Sequence, residues 1–203
     1  MRLIAIIDYG MGNLRSVEKA LEKIGYKAVV SGDPTVIRGA QGVILPGVGA
    51  YADCMTNLTA TGMDAVVHES IAGGKPFLGI CLGLQLLFEE SEEDGIYKGL
   101  GIFKGKVRRL PEGQKIPHMG WNQVRYANKP PVFDGVADGS NFYFVHSYYV
   151  DSADTGIIAT TTGYGIDFIS GIWSDNVVAV QFHPEKSGDV GLKVLDNFGR
   201  LCG

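Results

Sequence analysis

The sequence predicts an α/β fold: a central, mostly parallel twisted sheet flanked by helices, with additional antiparallel strands in the C-terminal half. Three observations predict it. The first half alternates short apolar runs with stretches of helical spacing, the pattern of a parallel sheet with helices on its faces. The second half is a series of strand-like runs separated by glycine and aspartate turns, and only its end is helical. No repeat, low-complexity tract or linker interrupts the chain, so residues 1–203 are expected to form one domain.

Taken in order, "LIAIID" is a buried-strand run, broken by "GMGN". "LRSVEKALEKIGY" carries Leu14, Val17, Leu21 and Ile24 at helical spacing, and Gly25 ends it. "KAVVSG" and "QGVILP" read as the second and third strands. "DCMTNLTATGMDAVVHESIAGG" is helical with a break near Gly62, "KPFLGI" is a fourth strand, and "LGLQLLFEES" reads as a helix. In the second half "GKVRRL", "WNQVRYA", "NFYFVHSYYV", "GIIATTT", "FISGIWS" and "VVAVQFHP" are strand-like, and "VGLKVLDNFGRL" is the terminal helix. The glycines of "GMGN" invite comparison with a dinucleotide fingerprint. Arg15 stands where that pattern needs its third glycine, so a nucleotide site is not expected there.

Composition narrows the function classes. The hydrophobic fraction of 45% is enough for a substantial core. Net charge is −4 and no basic cluster exceeds Arg108–Arg109, so binding to a nucleic acid backbone has no electrostatic support. The N-terminal apolar run is too short for a signal peptide and no run approaches a membrane span. Cys54, Cys81 and Cys202 are widely spaced and odd in number, which argues against a disulfide framework and a CxxC metal site. A cytoplasmic, soluble protein without metal or cofactor is expected.

Chemistry concentrates at "GICLG". Gly79-Ile80-Cys81-Leu82-Gly83 lies between a strand and a helix, the setting of a nucleophile elbow with cysteine in place of serine. A sharp strand-to-helix turn needs small neighbours. It also places Cys81 at a helix N-terminus, whose positive end favours a thiolate. The Leu82 N–H points the same way and can serve an oxyanion hole. Gln85 follows one helical turn on and can face the same pocket. Read by itself, the segment also fits a buried structural cysteine in a glycine-rich turn.

"QFHPE" supplies a base. Pro184 pushes His183 toward extended backbone, and residues two apart in extended chain share a side, so Glu185 can hold one imidazole nitrogen and leave the other for a thiol. A turn capped by charge is the plainer account of the same residues. His68 is expected to face solvent. His118 and His146, in aromatic-rich segments, are expected to be structural, and no histidine pair has metal-binding spacing.

Together these segments resemble the class I (triad) glutamine amidotransferases: "GICLG" their nucleophile motif, "FHPE" their His/Glu motif, "LPGVGAY" their oxyanion loop. "IPHMGWNQV", "FYFVHSYY" and "QFHPEKS" extend the resemblance over almost the whole chain to the glutaminase subunits of imidazole glycerol phosphate synthase. The resemblance implies that Cys81 attacks the carboxamide of glutamine, His183 passes the proton to departing ammonia, and Glu185 orients His183. It implies an oxyanion hole from the amides of Leu82 and Val48, and a glutamine site at Gly47, Gly49, Gln85, Ser147 and Tyr148. It implies a heterodimer with a (β/α)8-barrel cyclase subunit, met through Met119, Trp121, Asn122, Tyr143 and Lys186. Family members commonly have phenylalanine where Tyr51 follows "PGVGA". Another triad amidotransferase subunit, a stand-alone cysteine hydrolase and a non-catalytic binding module are the competing readings. The first would lack "HMGWN", and the last leaves the Cys/His/Glu set unexplained.

Overall fold

The computed structural model describes residues 2–203. The first half runs β1 (Leu3–Ile7), α1 (Leu14–Lys23), β2 (Lys27–Ser31), α2 (Pro34–Gly39), β3 (Gly42–Gly47), α3 (Tyr51–Ala60), α4 (Met63–Ala72), β4 (Phe77–Cys81) and the single turn α5 (Leu82–Gln85). The second half runs β5 (Phe88–Ser91), β6 (Tyr97–Lys98), β7 (Phe103–Arg109), β8 (His118–Gln123), β9 (Arg125–Tyr126), β10 (Asn141–His146), β11 (Tyr148–Asp151), β12 (Ile158–Tyr164), β13 (Ile166–Ser174), β14 (Val177–Val180) and α6 (Gly188–Leu201).

The main sheet has the order β2-β1-β3-β4-β14-β13-β11-β7-β5-β6, with β12 and β9 attached at β13. β2, β1, β3, β4 and β14 are mutually parallel. From β14 onward the pairings with β13, β11 and β7 are antiparallel. The α/β architecture is the one the alternating first half predicts. Successive side chains of a strand face opposite ways: in β1, Ala5 and Ile7 pack on one side of the sheet with α3 and α4, while Ile4 and Ile6 pack on the other with Val17 and Leu21 of α1 and Val194 and Phe198 of α6.

Several elements depart from the sequence expectation; "WNQVRYA", for one, is divided between β8 in the ribbon and β9 against β12. "LGLQLLFEES" is helical for one turn only. Leu84, Leu86, Leu87 and Phe88 are all buried, so the segment has no solvent face for a longer helix. The chain instead enters β5, which pairs with β7 and β6, and Glu90 meets Lys106 at 2.6 Å. "NFYFVHSYYV" is two strands: β10 pairs with β8 in a separate two-stranded ribbon, and after Ser147 the chain joins the main sheet as β11. Alternation signals a strand but not its partner. α2 is too short to show a helical period, although Asp33 caps it by accepting Thr35 N–H at 2.7 Å and Pro34 opens it. The helix break at Gly62 is present, with φ +70°.

β3, β4 and β14 are neighbours and end together, with Gly47 opposite Cys81 and Val180 opposite Ile80. The carboxyl ends of adjacent parallel strands are where open α/β sheets place their sites. Among the described residues no helix is long and apolar enough to cross a membrane.

Candidate active site

Cys81 has φ 56° and ψ −111°, in the left-handed half of backbone space that non-glycine residues avoid. Packing holds it there. A Cβ on Gly79 would stand 2.9 Å from both Ala179 Cβ and the Gly83 carbonyl oxygen, and one on Gly83 would fall on the Leu45 carbonyl oxygen. The glycines thus let α5 sit directly on β3 and β4. Gly83→Ala is therefore expected to lower folding stability by roughly 2–4 kcal/mol, read from denaturant midpoints; a change within 0.5 kcal/mol would contradict this packing. Because α5 is one turn long, its effect on Cys81 comes from the free N–H groups of that turn and not from an extended dipole.

His183 is extended, with φ −101° and ψ 95°, as Pro184 dictates. Glu185 reaches it by a different route from the one expected. Residues Pro184–Lys186 form a 3₁₀ turn, and that turn folds the carboxylate back so that His183 Nδ1–H donates to Glu185 Oε1 at 2.8 Å. Both side chains are almost fully buried. Asn13 Nδ2 adds a longer contact to the same oxygen at 3.4 Å, so the "GMGN" loop reaches the site through a carboxylate and not a nucleotide. Ser187 Oγ donates to the His183 carbonyl at 2.6 Å and accepts Tyr143 N–H at 3.0 Å, tying the turn to β10. His183 Nε2 is buried and makes no hydrogen bond, which leaves it free toward Cys81. Burial alone would disfavour a charged imidazole. The Cys81 sulfur and the Glu185 carboxylate outweigh it and raise the His183 pKa to about 10.

Cys81 and His183 open onto a cavity of about 280 Å³ that Val48, Gly49, Leu82, Gln85, Ser147, Tyr148 and Lys186 also line. Gly47 lies outside the lining. It is a close-approach glycine: a Cβ there would meet Leu82 Cβ at 2.9 Å and Tyr9 OH at 3.0 Å, and only Gly49 of the pair has positive φ, +98°. Glu185 stands behind His183. Met119 and Trp121 are exposed, 62% and 57%, on the outer face of the β8–β10 ribbon, with Tyr143 perpendicular to Trp121 at 6.1 Å. Asn122 faces the other way, its Nδ2 against Gly163 O at 3.0 Å and His118 Nε2 at 3.2 Å. It therefore supports the ribbon from behind and does not lie on that exposed face.

Sequence reasoning missed four residues here. Gln181 is fully buried, with Nε2 3.7 Å from Cys81 Sγ and Oε1 2.9 Å from Gln85 Nε2. Its position two residues before His183 was the available signal. Asn13 carries none once its loop is set aside as a nucleotide motif. His146 lines the cavity and is hydrogen-bonded to His118 at 2.9 Å. Glu93, a cavity carboxylate that burial pushes toward its neutral form, lies just past "LGLQLLFEES" in a stretch with no periodic pattern to mark it. His68 is exposed, as expected.

An elbow cysteine facing a carboxylate-held histidine, at the ends of parallel strands, defines the class: the model of the family Glutamine amidotransferase class-I matches residues 5–201. The fold agrees. A solved glutamine amidotransferase superposes with TM-score 0.77 at 18% identity over 98% of each chain, and PurLQS from Thermotoga maritima with 0.77 at 20% over 97% of each. Imidazole glycerol phosphate synthase subunit HisH of Geobacter metallireducens is 54% identical over 98% of both chains. The HisH subunits of Moorella thermoacetica and Aquifex aeolicus are each 55% identical, over 99% and 96% of this chain and 96% and 95% of theirs. Within the class-I amidotransferases, the chain belongs to the family of imidazole glycerol phosphate synthase subunit HisH.

Proposed function

We propose that this chain, acting as one amidotransferase domain, hydrolyses glutamine to glutamate and ammonia and passes the ammonia to a cyclase subunit, HisF, in the cytoplasm. The supporting observation is the meeting of Cys81, at its positive-φ elbow, with the His183–Glu185 pair in one cavity. Cys81 gives its proton to His183 and attacks the carboxamide carbon. The Leu82 and Val48 amides hold the oxyanion of the tetrahedral intermediate. His183 returns the proton to nitrogen as the C–N bond breaks, and ammonia leaves. Water, deprotonated by His183, then attacks the thioester carbonyl; the C–S bond breaks, glutamate leaves, and His183 returns the proton to the Cys81 sulfur. Glu93 suits the α-ammonium of glutamine, while the Gln85 side chain and the Ser147–Tyr148 segment hold the rest. HisF, a (β/α)8 barrel, uses the ammonia to form imidazole glycerol phosphate and aminoimidazole carboxamide ribotide. Met119, Trp121, Tyr143 and Lys186 are the contact surface proposed for it.

Gating belongs to the same reading. Val48 O accepts Cys54 Sγ at 3.4 Å, and Gly49 follows with φ +98°. A loop with a glycine hinge there can rest with an amide turned from the oxyanion site and flip when the partner docks. A missing donor of this kind costs roughly 10²–10³ in rate. The test compares kcat for glutamine hydrolysis by the chain alone, by the complex, and by the complex with the cyclase's ribonucleotide ligand. A rise of that order only with partner and ligand is expected. Equal kcat in all three would reject gating, and no hydrolysis under any condition would reject the glutaminase reading. Gly49→Ala should impair the activated rate more than partner binding.

A further inference from the structure

Polar groups in the wall of the cavity and just beneath it form one directed chain of hydrogen bonds. The Tyr148 carbonyl has no hydrogen to give, so His146 Nδ1, at 2.8 Å, and Gln85 Nε2, at 3.0 Å, must both donate to it. Each donation fixes the next group. Burial keeps His146 neutral, its pKa down at about 3, so its Nε2 can only accept, and His118 Nδ1 donates at 2.9 Å. His118, lowered to about 4 by burial, accepts Asn122 Nδ2 through its own Nε2 at 3.2 Å. In the other direction, Gln85 Nε2 also donates to Gln181 Oε1 at 2.9 Å. The oxygen of the Gln181 amide is thereby committed to Gln85, and its NH₂ is left to face Cys81 Sγ at 3.7 Å.

We propose that Gln181 is a further catalytic residue, whose side-chain N–H donates to the Cys81 sulfur and favours the thiolate. The proposal rests on the glutaminase reading above. An N–H bond to a neutral thiol is weak, whereas one to a thiolate is charge-assisted and stronger, so the contact stabilises the ionised form selectively. No proton moves through Gln181: the thiol proton goes to His183, and the amide only loses its charged acceptor when the C–S bond forms. The site is well suited to such a contact. Gln181 is fully buried, so no water competes, and its end-for-end orientation is dictated from the Tyr148 carbonyl. The titratable groups around Cys81 are His183 with Glu185 behind it, Tyr9 and Cys54, and across the cavity Glu93, His146 and Lys186; the Gln181 side chain is hydrogen-bonded to none of them.

The experiment follows iodoacetamide modification of the Cys81 peptide against pH, together with kcat and KM of the complex, for the unsubstituted chain, Gln181→Met and Gln181→Glu. Methionine keeps the length and removes the donor; glutamate keeps the shape and adds a repelling charge. The midpoint of Cys81 modification is expected to rise by about one pH unit in Gln181→Met, and further in Gln181→Glu, with kcat down roughly ten-fold or more. A purely structural Gln181, acting through Gln85, would raise KM and leave the modification curve in place, and that result overturns the proposal. The unsubstituted protein provides a check independent of folding: the ¹⁵N resonance of the Gln181 side-chain amide should move along the same pH curve as Cys81 modification. An amide indifferent to that curve also overturns it. Both curves can be measured without glutaminase activity, so their outcome is separate from the fate of the glutaminase reading.

Discussion

Cys81→Ala is expected to lower glutamine-dependent synthesis by the complex by about 10⁴-fold or more, since the covalent route disappears and only binding and oxyanion donors remain. Synthesis from added ammonium salt should survive wherever the cyclase binds ammonia itself, because nothing in the ammonia-using step needs the thiol. In the unsubstituted chain, an electrophilic glutamine analogue should add its mass at Cys81 alone. The selectivity has a structural cause. Cys54 and Cys202 are buried, and burial raises each to about 11, so both stay neutral thiols. Only Cys81 opens to the cavity. Labelling chiefly at Cys54 or Cys202, or full glutamine-dependent activity in Cys81→Ala, would remove the nucleophile assignment.

His183→Ala should cost roughly as much as losing the nucleophile, because base and nucleophile act as a unit, and Glu185→Gln should cost about 10–100-fold less. The glutamine amide oxygen can still accept His183 Nδ1–H at the 2.8 Å position, so the ring keeps its orientation but loses a charge. The pH dependence follows from that lost charge. With Cys81 and Glu185 both acting on it, His183 holds its proton up to about 10. Removing the carboxylate lowers that value, so the imidazolium needed to protonate the leaving nitrogen is lost at lower pH. The alkaline limb of the kcat profile of the complex should therefore move down in Glu185→Gln. A loss at Glu185 equal to that at His183, with no movement of the limb, would count against an orienting role.

The triad candidates were legible because each sits in a local pattern with a steric reason. Glycines at 79 and 83 announce a turn too tight for side chains, and a proline after His183 announces extended backbone. Gly47 and Asn122 show what local pattern leaves open. Whether a glycine of "PGVG" lines the cavity or lets Leu82 approach closely depends on neighbours from other segments. Asn122 sits in a strand, where a shift of one residue exchanges the faces, and its partner Gly163 is 41 positions away.

The sequence by itself determined the α/β order of the first half, the antiparallel additions, the elbow and the His/Glu motif, because these depend on spacing along one chain. Tertiary structure alone decided the rest. It split "NFYFVHSYYV" between two sheets at Ser147, stopped the helix after Cys81 at one turn, and brought Asn13 to Glu185. It also set Gln181 between Gln85 and the Cys81 sulfur. Each of these turns on which strand pairs with which and how deeply a segment is buried, and no local pattern of residues encodes the identity of a distant partner.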